Sequence, residues 1–98
     1  MIFNWFSVSE SERFGRELAA FILSEVKGSL GKRDAKFAAK AAKTLQRAAT
    51  KVAQFEARER MNFYKRAKLA NAFLWSLKDS GCPEEYANEL TDWLTQRL

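Results

Sequence analysis

A chain of 98 residues with one cysteine, no histidine and a net charge of +5 allows one small domain and little classical active-site chemistry. The lone Cys82 excludes an internal disulfide framework and a cysteine-based zinc site. Lacking histidine, the chain lacks the commonest general base and the commonest metal ligand, so the expected catalytic residues, metal ligands and cofactors are none, and no small-molecule substrate is indicated.

Residues 1–8 form an apolar N-terminal segment, with Ile2, Phe3, Trp5 and Phe6 close together. Docking on the helices is the expectation; insertion into a membrane interface or binding a partner are the alternatives. No basic n-region marks a secretory signal, and the longest uncharged runs fall far short of the roughly 20 residues that span a bilayer. A cytoplasmic setting is expected.

A first helix is predicted over residues 9–27. Ser7 with Glu10, and Ser9 with Glu12, both read as capping boxes at its start. Phe14, Leu18, Phe21, Ile22 and Val26 then recur at helical spacing, and Gly28 and Gly31 end the run. The connector is so short that the next helix must lie antiparallel.

Residues 34–79 read as one long helix, with Asp34 as N-cap and no Gly or Pro inside. Ala38, Ala41, Leu45, Val52, Phe63, Ala67, Ala70, Leu74 and Leu77 trace an apolar stripe, interrupted at Glu56 and Glu59. Phe37, Phe55 and Phe73 recur every eighteen residues, five helical turns, and so share one line flanking that stripe. Gly81 ends the helix, and a third helix follows over residues 83–97 with Pro83 at its first position. Tyr86, Leu90, Trp93 and Leu94 form its apolar side.

The expected fold is therefore all-α: two short helices folded back antiparallel on a long central helix. Each end would be only a two-helix layer, which rarely buries enough apolar surface to stand alone. Completion by a homodimer is expected, with Phe37, Phe55, Glu59, Phe63 and Phe73 at the interface and Glu59 meeting Arg60 or Arg66 of the mate. The competing architecture is a bend near Glu56 that collapses the chain into a four-helix monomer.

Charge is uneven along the chain. Residues 32–68 hold twelve cations against three anions, whereas residues 69–98 hold two against five. On a helical projection Lys36, Lys40, Lys43, Arg47, Lys51, Arg58, Lys65 and Lys68 gather on one face, extended backward by Lys32 and Arg33. This row is the candidate contact surface for an anionic partner. The expected function is a non-enzymatic interaction or accessory module, with a second copy of the chain as partner. Largely sequence-independent nucleic-acid binding is the alternative, and an acidic protein or a membrane surface are further ones. A solvated helix face is the plain alternative to all of them. Cys82 reads as a packing or capping residue rather than a reactive thiol.

Overall fold

An aspartate and an asparagine cap set where the two middle helices begin. The computed structural model describes residues 2–26, 31–32, 34–59 and 61–98, with side chains from residue 9 onward. Four helices account for most of them: α1 Ile2–Val26, α2 Ala35–Arg58, α3 Phe63–Asp79 and α4 Glu84–Arg97. Asp34 accepts the Phe37 N–H at 3.0 Å to open α2, as the sequence indicates. Asn62 does the same for α3, accepting the Lys65 N–H at 2.8 Å from an extended backbone.

The long central helix over residues 34–79 is thus two helices. Glu59 leaves the helical conformation (φ −112°, ψ 136°) while its N–H still bonds the Phe55 carbonyl at 2.8 Å. No Pro or Gly is needed: Asn62 offers its own side chain to the orphan N–H groups of a new helix start. Replacing Asn62 with Ala removes that acceptor and should cost about 1 kcal/mol of unfolding free energy, with Asn62→Asp retaining most of it. Urea unfolding of the two variants checks this, and an unchanged Asn62→Ala midpoint would show that the break does not depend on the cap.

The first helix also differs from expectation. It starts at Ile2, so Ser7 and Ser9 lie within it and neither caps it. Whether the side chains of residues 1–8 dock lies outside the described residues. With 25 residues, α1 is about 37 Å long, and it, not the middle of the chain, is the scaffold.

Helix α2 runs antiparallel to α1: Phe14 stacks on Phe55, Lys51 lies over Phe21, and Arg47 pairs with Glu25. Helix α3 then returns parallel to α1, and α4 folds back on α3. Tyr86, early in α4, meets Phe37, early in α2, edge-on at 5.4 Å, which ties together the end of the molecule where α1 and α3 finish.

The seam between α1 and α3 is unusually close. Ser11, Gly15 and Ala19, one turn apart on α1, are all buried there. A Cβ built on Gly15 would stand 2.5 Å from the Leu69 carbonyl oxygen and 3.1 Å from the Phe73 amide nitrogen. The backbones approach only because position 15 has no side chain. The Ser11 hydroxyl is buried without a hydrogen-bond partner among the described residues, and Lys65 is buried on α3.

The core runs through all four helices: Leu18, Ile22 and Val26 of α1, Val52 and Phe55 of α2, Leu69, Phe73 and Leu77 of α3, and Leu90 and Leu94 of α4. This removes the reason for expecting a dimer, because one chain already closes its own core. Phe37, Phe55 and Phe73 are 7%, 2% and 0% exposed within it and are not available to a mate. Glu59 is half-buried at the break, and only Phe63, at 87% exposure, faces outward.

Helix α3 ends as the glycine predicts. Gly81 has φ +88°, its N–H bonds the Lys78 carbonyl, and the Cys82 N–H reaches back to the Leu77 carbonyl at 3.0 Å. This six-residue Schellman closure buries Cys82 alongside Leu77. Pro83 is the N-cap of α4 rather than its first helical residue, and Glu84 and Glu85 occupy the first turn.

Candidate nucleic-acid interface

Helix α2 presents its cations on one side because its apolar residues occupy the other. Phe37, Thr44, Ala48, Val52 and Phe55 face the core. Lys36, Lys40, Lys43, Arg47, Lys51 and Arg58, spaced at three, four or seven residues, are all exposed along the adjoining flank. Within Ala35–Arg58 these six face a single acid, Glu56, so this helix alone carries +5. The row from Lys36 to Arg58 spans about 33 Å.

Three of these cations are braced by neighbours. Arg47 pairs with Glu25, Lys51 sits 4.8 Å from the Phe21 ring centre, and the Arg58 guanidinium lies 5.7 Å from that of Phe55. Such contacts hold the long stems against apolar surface while the charged heads stay in water. Lys36, Lys40 and Lys43 make no ion pair among the described residues. Between α1 and α2 the row borders a shallow groove floored by Phe14, Leu18 and Phe55 and edged by Glu17, Lys51 and Arg58.

The break after Arg58 divides the basic face expected from the sequence. Lys32 is exposed in the connector before α2, and Arg33 lies outside the described residues. Lys65 turns into the core of α3 and leaves the row altogether. Lys68, half-buried, belongs to a different surface, where it lies 5.5 Å from the Tyr64 ring centre. What remains contiguous is the α2 row.

Residues outside the predicted set line that second surface. Trp75 is 54% exposed on α3, beneath the Lys78 ammonium at 5.2 Å, and shares a cleft with Glu12 and Arg16 of α1. A sequence signal for it exists in the spacing Tyr64, Lys68, Trp75, Lys78, which places four aromatic or cationic residues on one side of a helix. Among the described residues no three His, Cys, Asp or Glu side chains converge as a metal site, and no helix is long and apolar enough to cross a membrane. Comparison with protein-family models, with curated proteins and with solved structures yields no match.

Proposed function

We propose that this protein is a non-enzymatic binding module that engages the phosphate backbone of a nucleic acid through the cationic face of α2, largely without regard to sequence. The observation that carries the reading is the row Lys36, Lys40, Lys43, Arg47, Lys51 and Arg58, exposed on one helix with Glu56 as its single acid. A straight row of about 33 Å suits a repeating anionic polymer better than a compact acidic ligand. Lysine predominates in it, and lysine meets phosphate as a point charge without the bidentate geometry that reads base edges. The absence of histidine leaves no comparable support for catalysis.

Fluorescence anisotropy with labelled duplex and single-stranded oligonucleotides tests the proposal. If about five phosphates are neutralised, affinity should fall several-hundredfold between roughly 50 and 200 mM salt. The double reversal Lys40→Glu/Arg47→Glu should weaken binding of every sequence alike and flatten the salt slope. Binding that ignores both salt and the reversal would defeat the reading.

A further inference from the structure

We infer that the outer face of α3 is a base-stacking platform that makes the protein favour single-stranded over duplex nucleic acid. The inference rests on the nucleic-acid reading above but on different residues. Tyr64, Lys68, Asn71, Trp75 and Lys78 follow at intervals of four, three, four and three residues, which aligns them along one side of the helix. Both rings are more than half exposed, at 53% and 54%. A large aromatic ring in water on a chain whose core contains Phe37, Phe55 and Phe73 is not there for want of interior positions.

The chemistry of this side matches an unpaired strand. Each exposed ring has an ammonium over it within 5.5 Å of its centre, and a base that stacks on that face displaces a flexible lysine head, which stays within reach of the strand's phosphate. Tyr64 and Trp75 are about 16 Å apart along the axis, room for about five stacked nucleotides or fewer extended ones. At the Trp75 end the cleft also holds Arg16, Asn71 and the carboxylates of Glu12 and Asp79. Asn71 and the carboxylates suit the amino and carbonyl edges of a splayed base, which a duplex keeps paired. Those same carboxylates argue against membrane insertion, since burying Trp75 in a bilayer would carry them out of water with it.

Position completes the argument. Arg16 links the α3 side to α1, and Phe21 and Glu25 link the α2 row to the other flank of the same helix. The exposed ridge of α1, with Arg13, Ala20 and Ser24, lies between them. Only the α1 ridge, about 10 Å across for a helix with its side chains, separates the two surfaces, so one flexible strand can pass from one to the other.

The test compares labelled oligo(dT) with a blunt duplex of equal length, using the full chain, Tyr64→Ala/Trp75→Ala and the ring-retaining Trp75→Phe. The double alanine variant should lose about tenfold to a hundredfold in affinity for the strand and change little for the duplex, while Trp75→Phe keeps most of the binding. Equal circular dichroism and melting of the variants shows that the fold is intact. Strand binding unaltered in the alanine variant, or altered equally for strand and duplex, overturns the inference. So does binding to phosphatidylcholine–phosphatidylserine vesicles that is lost in the variant while oligonucleotide binding persists. If Lys40→Glu/Arg47→Glu leaves duplex binding intact but the aromatic variant still releases the strand, the α2 reading fails and the platform stands.

Discussion

Gly15→Ala should unfold at a temperature roughly 10–20 °C below the parent chain, although alanine is the better helix former. Inside an exposed helix the substitution would gain about 1 kcal/mol. Here the new methyl group would stand 2.5 Å from the Leu69 carbonyl oxygen, a separation that real Cβ atoms do not adopt. The obstacle is backbone, so rotamer changes cannot relieve it. Either α1 and α3 part, leaving gaps beside Leu18, Ile22, Leu69 and Phe73, or the helix bends. Overpacking of this kind costs about 1–3 kcal/mol where side chains can yield, and more against a rigid neighbour. The control is Ala20→Gly on the exposed side of the same helix, expected to cost only about 1 kcal/mol. A Gly15→Ala chain that melts at or above the parent temperature would mean that the α1–α3 seam has room for a methyl group.

The same seam explains which parts of the fold are legible in the sequence. Caps and terminators are legible where a turn residue stands between two helical runs: Asp34 opens α2 and Gly81 closes α3 as their chemistry requires, whereas the capping-box spacings of Ser7 and Ser9 fall inside a helix that begins at Ile2. Asn62 has that chemistry too, but it sits in a run with good helix formers on both sides, and only its hydrogen bond to Lys65 reveals that it starts a helix. The eighteen-residue line of Phe37, Phe55 and Phe73 was the truest core signal, since all three are buried. The stripe that the alanines trace lies about a fifth of a turn away. Ala38 and Ala67 on that stripe are exposed, because a methyl group gains little from burial and therefore says little about which side is inside. Gly15 could not be read at all, since its meaning depends on a helix more than fifty residues later. Of the candidate site, the α2 row was legible because exposed cations follow helical phase, whereas Lys65 was misplaced by the hidden break.

Phe55→Ala and Phe63→Ala should separate widely, and the gap between them tests the architecture itself. Phe55 is 2% exposed, stacks on Phe14 with ring centres 4.3 Å apart, and accepts the last α2 hydrogen bond through its carbonyl. Truncation there opens a cavity between α1 and α2 and should cost about 3–5 kcal/mol. That is a large share of what a domain of this size has in total. Phe63 has the same side chain and is 87% exposed, so its truncation should stay within about 0.5 kcal/mol. A dimer built through both residues would respond differently: each variant would lose stability, and every melting temperature would rise with protein concentration by mass action. Melting the parent and both variants at two concentrations therefore decides the matter. A concentration-independent parent with only Phe55→Ala destabilised fits a chain that closes its own core. Comparable losses at both positions, scaling with concentration, would instead make a self-association surface of the groove between α3 and α4 that Phe63 lines with Ala67, Ala70 and Leu98.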